Sequence, residues 1–156
     1  MNNVLTLAEA VQKRAGRVLV FTNGHFDLLH VGHLDYLEKA RTLAGNDGLL
    51  FVGINGDEGT LQLKGQGRPI VPAAERARLI AALRPVDGAI IFEENTAIGL
   101  IEELRPEIYV KGGDYRDKPL PERATVERYG GRIVLIDLLP AHSTTALIAR
   151  IRALPE

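Results

Sequence analysis

Short apolar runs alternate along the chain with stretches of helical spacing. The runs at 18–22, 49–54, 89–92, 108–110 and 132–136 are bounded by polar and glycine-rich turns, which predicts five strands buried on both faces. The first of them is followed by Leu34, Leu37, Ala40, Arg41 and Ala44, which recur with the period of a helix over 33–44. Thr6 and Glu9 have the spacing of a capping box, so a helix is expected from there to Gly16. Pro72 suits the first turn of a helix over 72–83 that presents Leu79, Ile80 and Leu83 on one face. Thr96 is expected to cap a helix reaching 104. Two further helices are expected at 121–129 and, capped by Ser143, at 143–153.

Strands alternating with helices imply an α/β domain over 1–156 with a five-stranded parallel sheet, doubly wound by right-handed crossovers. In such a sheet ligands gather at the carboxyl ends of the strands. The polar segments 22–33, 55–67, 111–115 and 138–145 all follow strands and are expected to share one rim. The segment 55–71 carries Gly56, Gly59, Gly65 and Gly67 with little periodicity. Its 17 residues read as a functional loop rather than a plain connection.

Composition narrows the chemistry. A net charge of -1 gives no general attraction to nucleic acid, and no window approaches the roughly 18 apolar residues of a membrane span. The first ten residues lack the basic and apolar regions of a leader, so a cytoplasmic protein is expected. Without cysteine there is neither a disulfide nor a thiolate metal site.

The candidate chemistry is concentrated after the first strand, where three of the four histidines fall within nine residues: His25, His30 and His33. A strand leading through a polar turn into a helix at His30-Val-Gly-His33 points backbone N–H groups and the helix dipole at one spot, which suits a phosphate. Gly32 allows the backbone to approach a ligand. His25, Asp27, His30 and His33 are also acceptable zinc ligands, and chelator treatment distinguishes the two readings. Lys64, flanked by glycines, reads either as a solvated basic loop or as a point charge that closes over a phosphate. Lys111-Gly-Gly-Asp114 is a strand exit whose Gly112 and Gly113 admit a flat ring or a phosphate. Ser143-Thr-Thr145 is a helix cap able to donate to an anion. Arg76 is either a solvated charge or a phosphate contact.

Four segments in this order resemble the nucleotidyltransferases that carry an H-x-G-H signature on a Rossmann-like domain: Thr22-Asn-Gly-His-Phe-Asp-Leu-Leu-His-Val-Gly-His33, Leu63-Lys-Gly-Gln-Gly-Arg-Pro-Ile70, Val110-Lys-Gly-Gly-Asp-Tyr115 and Ser143-Thr-Thr-Ala-Leu-Ile148. The resemblance is strongest to the adenylyltransferase domain of ADP-heptose synthesis, which acts on D-glycero-D-manno-heptose 1-phosphate. It implies transfer of AMP from ATP to a phosphorylated sugar or polyol, with release of pyrophosphate and with Mg2+ arriving on the nucleotide. His30, His33 and Lys64 would be the catalytic residues. Thr22, Asn23, Gly24, His25, Phe26, Asp27, Gly32, Arg76, Gly112, Gly113, Asp114, Ser143, Thr144 and Thr145 would bind the nucleotide. No metal-ligating residue is expected, and a homodimer is the family's expectation.

Three positions depart from the resemblance. His25 stands where cysteine is usual, Leu61-Gln62 where a basic pair is usual, and Ala141-His142 where Gly-Tyr is usual. The related glycerol-3-phosphate cytidylyltransferases, which use CTP, carry an arginine at the position of Leu138, so ATP is the expected nucleotide. The domain is often fused to a sugar kinase. None is found in this sequence, so a separate protein is expected to phosphorylate the acceptor. A non-catalytic nucleotide-binding module is the alternative of another class.

Overall fold

The computed structural model describes residues 2–156; Met1, part of the stretch read for a leader, lies outside them. Five strands form one sheet: β1 (Leu19–Gly24), β2 (Leu49–Asn55), β3 (Gly88–Phe92), β4 (Ile108–Gly112) and β5 (Arg132–Ile136). Their order is β3-β2-β1-β4-β5 and every pairing is parallel. The helices are α1 (Leu7–Arg14), α2 (Val31–Thr42), α3 (Asp57–Lys64), α4 (Ala73–Ala81), α5 (Ile98–Leu104), α6 (Arg123–Arg128) and α7 (Thr144–Arg152).

Alternation along each strand sends neighbouring side chains to opposite faces. Val20, Leu50, Val52 and Ile54 therefore pack with Leu37, Ala40 and Ile80 on one face. Leu19, Phe21, Phe51 and Tyr109 pack with Leu100, Ile101 and Leu104 on the other. Strand order reverses direction between β1 and β4, and a crevice opens at the carboxyl ends of that pair.

The segment 55–71 is not the single loop that its glycines suggest, because residues 57–64 form α3. Asp57 and Glu58 lie in the first turn, where the helix dipole favours negative charge, and Lys64 lies in the last turn, where it favours positive charge. Those end charges outweigh the roughly 1 kcal/mol cost of Gly59 inside the helix. Nor does Thr96 cap α5. The helix starts at Ile98, and the carboxylate of Glu122, far along the chain, accepts the Ala97 N–H at 3.0 Å.

The buried stripe of α4 also differs from expectation. Leu79 is half exposed, and Arg76 takes an inward position beside Ala77 and Ile80 with no exposed surface. Its guanidinium donates to the carbonyls of Val71 (2.7 Å), His25 (2.6 Å) and Asn55 (2.8 Å) and to Asp57 Oδ1 (2.8 Å). Arg76 thus ties the ends of β1 and β2 to α3 and α4, and none of its bonds points to a ligand. Arg76→Ala would leave those carbonyls without a donor and is expected to lower stability by about 2–3 kcal/mol. Urea denaturation of the two proteins checks this.

Candidate functional site

The turn after β1 is built by Asp27. Its buried carboxylate accepts the N–H groups of Ile70 and Val71 and the Arg68 guanidinium (Nε, 2.7 Å). Burial pushes this carboxyl up, but the two backbone N–H groups and Arg68 outweigh it and hold Asp27 below the usual carboxylate range. Phe26 beside it adopts φ 48°, a left-handed conformation that costs a non-glycine residue of order 1–3 kcal/mol. Its ring packs 5.2 Å from that of His33.

Helix α2 then starts at an unusual cap. The Nδ1 of His30 accepts the Gly32 N–H at 3.1 Å, and the Nδ1 of His33 accepts the His30 N–H at 3.3 Å. The rings stack with centroids 3.9 Å apart. A ring nitrogen that accepts an N–H carries no proton, so each neutral imidazole holds its hydrogen on Nε2. Gly32 is required here, since a Cβ would stand 2.9 Å from the His30 ring and 3.0 Å from His142 Cβ.

Burial pushes His33 down to about 4, with His30 adding to the shift, and pushes His30 down too, with His142 adding. His25 also lies at about 4, through burial first and then the charges of Lys64, Arg76, Lys111 and Arg68. Between that value and the unfolded one near 6.5, the unfolded chain binds more protons than the folded one. Stability is therefore expected to be fully present above pH 6.5 and to decline as pH falls toward 4. Urea midpoints measured across that window check it, and His25→Gln should flatten the slope.

At the far end of the chain, Ser143 caps α7 by accepting the Ala146 N–H at 3.0 Å. Thr144 Oγ1 donates to the Leu28 carbonyl at 3.1 Å and fastens α7 to the turn after β1. The N-termini of α2 and α7 thereby face a common cavity of about 300 Å³. All four polar segments contribute to it, as their positions after strands imply.

Of the residues singled out from the sequence, His30, His33, Lys64, Asn23, Gly24, His25, Phe26, Asp27, Gly32, Gly112, Asp114, Ser143, Thr144 and Thr145 line the cavity. Thr22, Gly113 and Arg76 do not. Thr22 is fully buried and donates to the Val110 carbonyl at 2.8 Å, with the Tyr36 hydroxyl 2.7 Å away, so it locks β1 to β4. Gly113 lies under the Arg116–Asp137 ion pair, where a Cβ would come within 2.7 Å of Asp137.

The sequence reading missed Tyr36, Arg68, Lys111 and Tyr115 as lining residues. Lys111 was within reach, because it directly precedes Gly112 at a strand end. The four zinc-ligand candidates do not converge. His25 is bonded to Thr60 Oγ1 at 2.9 Å, Asp27 is committed to the turn, and no group of three or more metal-ligating side chains occurs among the described residues. No helix of the described residues is long and apolar enough to cross a membrane.

Residues 21–148 match the cytidylyltransferase-like family, and the chain belongs to that family. It is 50% identical over 141 residues to the bifunctional protein HldE of Syntrophotalea carbinolica, covering 90% of this chain and 28% of that protein. To the bifunctional protein HldE of Geotalea uraniireducens it is 48% identical over 154 residues, covering 97% and 31%. The chain thus spans about 30% of the length of these relatives. Among solved structures, a lipopolysaccharide core biosynthesis protein from Thermoplasma volcanium superposes with a TM-score of 0.62 at 27% identity, over 78% of this chain and 96% of that one.

Proposed function

We propose that this chain transfers AMP from ATP to a sugar 1-phosphate, most specifically D-glycero-D-manno-heptose 1-phosphate, forming an ADP-sugar and pyrophosphate. One observation carries the reading: both Nδ1 atoms of the His30–His33 pair are occupied by backbone N–H groups, leaving two Nε2–H donors at a helix start. An oxygen of the acceptor phosphate attacks the α-phosphorus, the bond from that phosphorus to the α–β bridging oxygen breaks, and pyrophosphate leaves. No covalent enzyme intermediate is required. The protein's part is positioning and the stabilisation of charge on phosphate oxygens.

In this reading His30 and His33 donate to the triphosphate, neutral because burial holds their pKa values down. The Ser143 and Thr145 hydroxyls and the N-terminus of α7 approach it from the other side. Lys64, at the end of α3 and unpaired with any carboxylate among the described residues, supplies a mobile positive charge. The cavity offers no acidic cage, so its donor set fits Mg2+ only as a passenger on the nucleotide, held by phosphate oxygens and water. Such an ion would neutralise charge on the leaving pyrophosphate.

Leu138 supports ATP over CTP, because it brings an apolar side chain into the cavity at the position where the glycerol phosphate group carries arginine. Leu61 and Gln62 do not line the cavity, so the missing basic pair leaves the lining unchanged. The test crosses ATP and CTP with heptose 1-phosphate and glycerol 3-phosphate and reads pyrophosphate release. ATP with the heptose phosphate is expected to be the productive pair. Turnover only with CTP and glycerol phosphate would overturn the substrate assignment.

A further inference from the structure

Four cations act on His25: Lys64, Arg76, Lys111 and Arg68. Two are already satisfied by the protein, Arg76 by three carbonyls and Asp57, and Arg68 by Asp27. Lys64 is exposed at the end of α3. Lys111 is different, being 8% exposed yet lining the cavity at the carboxyl end of β4. Its Nζ donates to the Asn23 carbonyl at 3.2 Å and stands 4.7 Å from the centroid of the Tyr115 ring. None of the nine ion pairs among the described residues includes it.

An ammonium has three N–H donors, and this one uses a single protein oxygen. A buried charge without a paired counter-charge is costly to maintain. Burial accordingly pushes Lys111 below the usual lysine range; Glu122 and then Asp114 oppose that shift without pairing with the ammonium, and Lys64 adds to it. The counter-charge lacking in the fold is one that a ligand can bring.

Two phosphate-bearing reactants must share this cavity. The triphosphate already has the start of α2 with two imidazole donors, and the start of α7 with its hydroxyls. The acceptor's monophosphate, a dianion that must sit next to the α-phosphorus, has neither. Lys111 lies on the cavity floor where β1 and β4 diverge, anchored through Asn23 to the strand that leads into the histidine turn.

We propose that Lys111 binds the phosphate of the acceptor and so sets the position of the attacking oxygen. This rests on the transfer reaction proposed above. The closing experiment separates failure of the two. Steady-state kinetics of Lys111→Met with ATP and heptose 1-phosphate are expected to show the acceptor KM raised roughly 10- to 100-fold, the loss of a charged hydrogen bond. The ATP KM should stay within about 3-fold of the wild type, since its donors lie elsewhere. Lys111→Arg should recover part of the acceptor affinity, and Lys111→Met should melt at or above the wild-type temperature because a buried charge has been removed.

Titration of inorganic phosphate into the nucleotide-free proteins gives a readout that needs no turnover. Wild type should bind it more tightly than Lys111→Met. An unchanged acceptor KM, or acceptor and ATP KM values rising together, would overturn the assignment. If wild type turns over no acceptor at all, the transfer reaction fails and the phosphate titration decides for Lys111 alone, equal binding overturning its role. If Lys111→Met does not fold, Lys111→Arg carries the same comparisons.

Discussion

His33→Ala is expected to lower kcat by about 10²–10³ without unfolding the protein, the usual cost of losing one well-placed donor to a developing charge. Two features of His33 set that size. Its Nδ1 accepts the His30 N–H at 3.3 Å, which fixes the tautomer and aims the remaining N–H at the cavity. Its low pKa means that the proton stays on Nε2 as a neutral donor throughout the physiological range. The side chain also closes the cap of α2, so its removal should cost about 0.5–2 kcal/mol of stability. Circular dichroism and melting separate that loss from the kinetic one. His33→Gln keeps an N–H donor and should recover part of the rate. Full turnover by His33→Ala would end the proposed role.

Lys64→Ala is expected to cost a rate factor of similar size, about 10² or more, with far less effect on stability. Lys64 is exposed and makes no ion pair among the described residues, and as a cation at the C-terminal end of α3 it contributes about 0.3–1 kcal/mol. Gly65 follows it with φ 90°, a conformation that lets the chain turn away directly after the lysine. The loss should fall mainly on kcat if Lys64 meets charge that develops during transfer, and on the ATP KM if it merely attracts the triphosphate. Measuring both constants for Lys64→Ala and Lys64→Arg distinguishes these, and an unchanged kcat would remove Lys64 from the chemistry.

The strands were legible because a parallel sheet covered on both faces demands continuous apolar runs, and 49–54 and 108–110 supply them plainly. The shared rim followed from topology alone. Legibility failed where a distant residue does a local job. The start of α5 is satisfied by Glu122 rather than Thr96, and no local pattern announces a cap supplied from 25 residues away. Arg76 reads as a solvated charge or a phosphate contact on α4 because neither periodicity nor motif marks a guanidinium that serves the fold itself. Its burial depends on carbonyls from three other segments.

The polar turn carrying the histidines was legible at the end of β1, yet the start of the helix after it was misplaced. The periodic apolar positions set the helix over 33–44, whereas α2 runs from Val31 with His30 as its cap, the first turn carrying the polar end of the motif rather than the apolar stripe. Lys111 was masked by the glycines after it, which drew the strand end back to 110 although β4 runs to Gly112.

The most direct measurement on the central claim follows 31P signals of the full chain incubated with MgATP and D-glycero-β-D-manno-heptose 1-phosphate. The expected result is pyrophosphate and a two-phosphorus ADP-sugar accumulating in equal amounts, only when both substrates are present, and slowed in His33→Ala. ATP that binds yet yields no pyrophosphate with any sugar phosphate would contradict transfer and leave a nucleotide-binding module in its place.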